Sequence, residues 1–329
     1  MKKKALGKEC IFLKIGLLKE YQLKERSSVV KSLASEMGFS FTGISRAERL
    51  DEEARKLEEW LNRGMHGKMG YMENYFEKRV DPSKLVPGAK SVVSLMYNYY
   101  TEKEQSDPEA PKISKYAYGK DYHRVVKDKL FSLVKQIEEA LDVTIEGRCF
   151  VDSAPVLERD WAKRSGIGWT GKNTLLIHPK AGSYFFLAEL IIDLPLAADQ
   201  PMKDYCGTCR KCIDACPTDA IDDEGYLLDA RKCISYLTIE LKEAIPPTFK
   251  GQMENWMFGC DICQEVCPWN RFSERHEEEQ FEPQEDLLDM KKEDWEELTE
   301  EVFRKVFKKS AVKRAKFEGL KRNIRFLVD

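Results

Sequence analysis

Eight of the ten cysteines in this chain of 329 residues lie between positions 206 and 267. Cys206, Cys209, Cys212 and Cys216 form a C-x2-C-x2-C-x3-C run followed by Pro217. Cys260, Cys263 and Cys267 form a C-x2-C-x3-C run followed by Pro268, and Cys233 stands alone between the runs. The first run has the bacterial ferredoxin spacing, in which three thiolates hold one iron–sulfur cluster and the fourth reaches the other. Eight thiolates suit two 4Fe–4S clusters. One falls to Cys206, Cys209, Cys212 and Cys267, the other to Cys216, Cys233, Cys260 and Cys263. Close spacing lets successive turns aim three sulfurs at one cubane face, and the proline stops the chain continuing as it entered. Structural zinc also uses C-x2-C, but zinc sites want pairs, not a run of four ending in Cys-Pro. A disulfide framework would spread cysteines through a short secreted chain. Cys10 and Cys149 fall outside the pattern and read as ordinary buried or half-buried thiols.

Two such clusters make an electron wire, and the rest of the chain must hold what the wire feeds. Hydrophobic residues at 42% and aromatics at 11% are ample for a core and exclude a mostly disordered chain. The length allows two domains, or one with an appendage. A net charge of -3 excludes nucleic-acid binding by bulk charge but not a local basic patch. No run of about 18 apolar residues occurs, so no transmembrane helix is expected. Lys2 to Lys4 precede a short apolar stretch broken by Lys14, with no small-residue cleavage site and no twin arginine. An export signal is therefore not expected, and residues 1–25 read as a helical or frayed extension of a cytoplasmic protein.

Periodicity places the elements. Residues 26–45 read as a helix and then a strand. Residues 51–63 form an amphipathic helix through Leu57, Trp60 and Leu61, and a Gly- and Met-rich loop follows. Residues 91–99 make a buried strand, 102–112 a polar loop, and 123–141 a strong helix. Strands are expected over 143–151, 173–178 and 183–193, with a helix over 155–165. This alternation gives an α/β or α+β domain over 26–199. A ferredoxin-like two-cluster domain spans 200–272, and a charged helical tail spans 273–329. Between Val302 and Arg325 the tail carries ten Lys or Arg against one Glu. It reads either as a solvated amphipathic helix or as a phosphate-contacting arm.

Several segments together carry a resemblance. They are Val-Asp-Ser-Ala-Pro-Val-Leu-Glu-Arg (151–159), Gly-Ile-Gly-Trp-Thr-Gly-Lys-Asn-Thr-Leu-Leu-Ile (166–177), the two cysteine runs, and Cys-Ile-Ser-Tyr-Leu-Thr-Ile-Glu (233–240). The ferredoxin run alone is common to many proteins, whereas its combination with the upstream segments is specific. From about residue 26 to 325 the chain resembles the epoxyqueuosine reductases, which reduce epoxyqueuosine to queuosine in the tRNA anticodon loop. The resemblance implies a base-off cobalamin in the N-terminal domain, fed by the clusters, and an external low-potential electron donor. The partner is tRNA bearing epoxyqueuosine at the wobble position, and a monomer is expected. It assigns Asp152 as proton donor and Arg79, Ser114, Asp152, Leu176, Leu187 and Ser235 as cobalamin contacts. Some members carry a C-terminal helical-repeat region that does not follow here.

The chemistry asks for two electrons, a low-valent centre and a proton for the leaving oxygen. A carboxylic acid gives that proton if burial raises its pKa. Asp152 follows a strand (143–151) and precedes a helix, a place where active-site groups often sit; the plainer reading is a helix N-cap. Arg79 equally suits a surface ion pair. His123 and His178 read as scaffold histidines, since base-off binding needs no histidine. The glycines of 166–171 suit close approach to a flat cofactor better than a pyrophosphate. A splayed anticodon base would reach such a pocket, with the basic tail on phosphates. Three competing functions fit less of the chain. They are a reductive dehalogenase-like enzyme on a small molecule, a non-catalytic ferredoxin module, and a zinc-ribbon tRNA binder.

Overall fold

The computed structural model describes residues 3–284 and 286–328, with side chains from Glu20 onward. The reading of Cys10 lies outside the described side chains. Helix α1 spans Lys3–Glu36 and ends at Gly38, whose φ of +90° is open to glycine. Strand β1 (Phe41–Arg46), helix α2 (Asp51–Asn62) and strand β2 (Ser91–Asn98) follow. Helix α3 (Tyr122–Leu141) is capped by Asp121, which accepts the His123 N–H at 3.1 Å. Strand β3 (Gly147–Phe150), helix α4 (Glu158–Arg164) and strand β4 (Phe185–Ile192) complete the domain.

The strands lie in the order β1–β2–β4–β3, and every pairing is antiparallel. The domain is therefore α+β. Side chains alternate between two buried faces. Val93, Leu95 and Tyr97 of β2 and Phe186, Ala188 and Leu190 of β4 pack with α1 and α3. Val92 and Met96 of β2 and Ile191 of β4 pack with Trp161 and Ala162 of α4. Burial on both faces explains why β2 and β4 read as nearly continuous apolar runs.

The cluster segment joins this domain through a short parallel pair, Lys112–Ile113 beside Trp256–Phe258. The tail covers that junction. Trp295, Phe303, Phe307, Leu320 and Ile324 are buried against Ile113, Met257 and Phe258. Helix α5 (Lys316–Val328) locks on through Asn323, which donates to the carbonyls of Thr238 and Met257, both at 2.8 Å.

Candidate active site and cluster centre

Two quartets of cysteines emerge. Cys212 lies within electrostatic reach of Cys206, Cys209 and Cys267, and Cys263 within reach of Cys216, Cys233 and Cys260. Cys263 also feels Cys212, so the quartets adjoin. A short helix within each run, Lys211–Asp214 and Ile262–Glu265, carries Cys212 and Cys263 and turns the chain toward the run's last cysteine. The first quartet lines a cavity of about 230 Å³ edged by Tyr205, Trp269 and Arg271. Trp169 donates its indole N–H to the Cys206 Sγ at 3.4 Å. In the second quartet the Cys216 Sγ accepts the Ala220 N–H at 3.3 Å. Such hydrogen bonds stabilise the electron-rich sulfurs of a cluster.

Ser235 stands against this second quartet, with both its N–H and its hydroxyl directed to the Cys233 sulfur. Ser114 is buried, and its hydroxyl donates to Asp261, which also accepts the Lys115 N–H at 2.8 Å. These two serines are thus engaged with the cluster segment. Leu176 is a core residue beside Met96, Ala162 and Ile167, and Leu187 is half-buried in the same group.

Asp152 sits in the loop between β3 and α4 at a φ of +53°. Its side chain is 54% exposed, yet Tyr71, Tyr116 and Arg314 stand around it, so the carboxylate forms part of a recess open to solvent. It caps nothing, because α4 has Leu157 at its N-cap and no side-chain cap. The Asp152 Oδ2 accepts the Tyr122 hydroxyl at 2.6 Å and lies 3.3 Å from the His123 Nε2. The His123 Nδ1 lies 2.7 Å from the Asp121 Oδ1. Burial raises the Asp152 pKa, but hydrogen bonds from His123 and Tyr122 outweigh it and hold the carboxyl below its ordinary range. The expected raised pKa is therefore corrected. For His123, burial opposes the charge, yet its bonds to Asp121 and Asp152 raise the imidazole to about 9. The proton of this site rests on His123, a residue read from sequence as scaffold. The signal for it was local: an Asp-x-His step at the start of a strong helix.

His178 is scaffold, stacked on Phe41 at 3.5 Å between ring centroids. Arg79 is buried and donates to the carbonyls of Tyr71 and Asn74, with no carboxylate partner among the described residues. The alternative of a surface ion pair is excluded. The glycines of 166–171 serve the chain itself. A Cβ on Gly166 would lie 2.1 Å from the Gln200 carbonyl oxygen, and one on Gly168 2.7 Å from that of Ile177. The expectation that they approach a cofactor is corrected accordingly. A cavity of about 550 Å³ between α1 and residues 196–201 touches neither Asp152 nor a cysteine.

The basic tail is partly spent internally. Arg304 pairs with Glu300 at 2.6 Å, Lys305 with Asp286 at 3.5 Å, and Arg314 with Glu240 at 2.8 Å. Arg322 donates to the carbonyls of Leu237, Leu241 and Glu243, and Lys321 to those of Glu296 and Leu298. Among the described residues Lys308, Lys309, Lys313, Lys316 and Arg325 carry no ion pair.

Comparison with known proteins adds to this geometry. Residues 205–270 match the family model of a 4Fe-4S double cluster binding domain, and residues 79–153 match that of epoxyqueuosine reductase QueG, DUF1730. The chain is 60% identical to the epoxyqueuosine reductase of Cyclobacterium marinum over 93% of this chain and 97% of that one. It is 41% identical to that of Escherichia coli over 89% of this chain and 78% of that one. An epoxyqueuosine reductase crystallised with an epoxyqueuosine-modified tRNA-Tyr stem loop superposes with a TM-score of 0.84 at 31% identity, covering 94% of this chain and 81% of that one. The Bacillus subtilis enzyme, described with an aspartate catalytic loop swung out of its active site, superposes at 0.79 with 29% identity over 94% and 81% of the two chains. With 60% identity across nearly the whole of both chains, this chain belongs to the epoxyqueuosine reductase family.

Proposed function

We propose that this chain reduces epoxyqueuosine at the wobble position of tRNA to queuosine, with Asp152 delivering the proton to the leaving oxygen. The observation that carries the reading is the Asp121–His123–Asp152 chain, which holds one proton at a solvent-open recess on a chain with two cysteine quartets. The eight thiolates bind two 4Fe–4S clusters in the quartets described, and a cobalamin binds at the recess. Arg79 supports that fit: a buried guanidinium whose partners among the described residues are two carbonyls retains charge for an anionic or carbonyl-rich ligand. When bound, cobalamin supplies a low-valent cobalt centre and the clusters supply it with single electrons.

The chain's own residues manage the proton. Asp121 fixes the His123 ring through Nδ1, so that Nε2 faces Asp152. As the epoxide C–O bond breaks, the proton resting on the His123 Nε2 passes to the Asp152 carboxylate and from it to the leaving oxygen, which leaves His123 neutral. Tyr122 holds the carboxylate in place. Asp261 and Ser114 tie the second quartet to the recess domain, so a cluster held there would be the one placed to supply electrons to the recess. A cluster held by the first quartet, beside the exposed Tyr205, would be the one open to an external low-potential donor.

In this reading residues 26–199 hold cobalamin and the substrate base, 200–272 the clusters, and the unpaired lysines of 273–329 the phosphates. Action on tRNA places the reaction in the cytoplasm, and among the described residues no helix is long and apolar enough to cross a membrane. Anaerobic reconstitution with iron, sulfide and cobalamin tests the assignment. About eight irons per chain and a base-off cob(II)alamin resonance are expected. Iron without cobalamin uptake would leave an electron-transfer module and remove the role given to Asp152.

A further inference from the structure

A second acidic group lies beneath Asp152, and the reaction above does not use it. Glu189 sits in the middle of β4, directly across from Phe150 of β3 and Ser94 of β2. It is 0% exposed. The layer it enters is otherwise apolar, built of Val92, Met96, Phe150, Trp161 and Ile191. Among the described residues neither Glu189 oxygen meets a hydrogen-bond donor, and neither does the neighbouring Ser94 hydroxyl. Its polar contact is the carboxyl of Glu158, the first residue of α4. Glu158 in turn accepts the backbone N–H of Asp152 at 2.5 Å.

Two carboxylates cannot hold such a contact as anions. Burial penalises each charge and like charge penalises the pair, and the one donor present, the Asp152 N–H, serves Glu158 and leaves Glu189 uncompensated. One proton between them turns the clash into an O–H···O⁻ hydrogen bond, among the strongest available to side chains. The groups facing the pair do not relieve it. Asp152 adds negative charge from the loop, and α3 contributes the un-ionised Tyr122. Strands β1 and β2 present Gly43 and Ser94, the cation that reaches Glu158 is Arg159 of α4, itself exposed, and the charge on His123 is engaged by Asp121 and Asp152. Burial, followed by repulsion from Asp152, pushes Glu158 up to about 8.

We propose that Glu158 and Glu189 share one proton at neutral pH, and that this pair fixes Asp152 in its left-handed conformation by holding its N–H. Neither residue reaches the recess chemistry; both are positioning residues acting through the Asp152 backbone. Loss of the shared proton leaves two adjacent negative charges, which separate and release the Asp152 N–H. The effect on turnover rests on the function proposed above, whereas the shared proton does not.

Infrared difference spectra of the full chain with its clusters, titrated from mildly acidic to strongly alkaline pH, read the C=O stretch of a protonated carboxylic acid. The wild type is expected to show such a band at neutral pH and lose it only at alkaline pH, because burial and the mutual repulsion of the two carboxyls raise both. Glu189→Gln and Glu158→Gln should each lack it. A wild type without a band that these substitutions remove would overturn the pair. In kcat/KM against pH, Glu189→Gln donates permanently to Glu158, so the alkaline limb should move up, to the ionisation of His123 near 9. Glu189→Leu, with no donor, should lower kcat by about tenfold or more through a displaced Asp152. An unchanged limb in Glu189→Gln would overturn the link to Asp152. The band with an inactive wild type would count against the proposed function and for the pair.

Discussion

The two cysteine quartets hold the same number of sulfurs in different surroundings. Cys206, Cys209, Cys212 and Cys267 border a cavity edged by Tyr205 and Trp269, and Tyr205 is 49% exposed. Cys216, Cys233, Cys260 and Cys263 lie under the turn Tyr236–Glu240, which α5 clamps through Arg322 and Asn323. Asp261 beside Cys260 accepts from Ser114, and Glu240 at the end of the turn pairs with Arg314 next to Asp152. One quartet thus faces the outside and the other faces the proton site. In the proposed function the difference would give the wire a direction, and it makes the two quartets separable by mutation.

The largest effect is expected at the inner quartet. Cys263→Ser should remove that cluster, halve the iron and abolish turnover, while the outer cluster keeps its EPR signal. If turnover persists, the inner quartet does not lie on the electron path. Next comes Asp152→Asn, which should retain iron and cobalamin but lose about 100-fold or more in kcat, as expected for a general acid. His123→Gln should cost less, about tenfold, because Asp152 can still draw protons from solvent. The same variant tests the charge on His123. Its pKa is raised from 6.5 to about 9, so its contribution to stability is complete below about 6.5 and lost as pH rises through about 9. Wild-type thermal stability should decline over that window, and the His123→Gln curve should be flatter there. On the tRNA side, reversing Lys313 and Lys316 together should make log K against log salt shallower by about 1.5. An unaltered slope would remove the tail from the interface. The smallest effect is Trp169→Phe, which removes the indole N–H from the Cys206 Sγ. It should lower the outer cluster's potential and leave the inner one unmoved.

How much of this is legible from sequence follows from how each site is assembled. The cluster ligands lie within one or two turns of each other, so spacing alone pairs Cys206, Cys209 and Cys212, and the ferredoxin pattern supplies the crossing of Cys216 and Cys267. The long helices and strands are equally plain: β2 falls at Ser91–Asn98 and α3 at Tyr122–Leu141, close to the periodic segments. The proton site is different. Tyr122 and Asp152 are brought together by packing across thirty residues of chain, and no local spacing encodes that contact. The direction of the Asp152 pKa depends on these partners, which is why an argument from burial alone reverses it. Glu189 did leave a mark, a lone acid in the apolar strand Phe-Phe-Leu-Ala-Glu-Leu-Ile-Ile. The basic tail misleads in the opposite sense, since Arg322 looks like a surface cation and is committed to three backbone carbonyls.

The central claim is that the His123–Asp152 proton site completes the reduction of an RNA-borne epoxide. It is tested most directly by nucleoside analysis of an epoxyqueuosine-bearing anticodon stem loop. The stem loop is treated anaerobically with a chemical reductant and the reconstituted wild type or Asp152→Asn. Queuosine from the wild type and none from the variant, at equal iron and cobalamin content, is the expected result. Queuosine formed by the variant at the wild-type rate would contradict the claim.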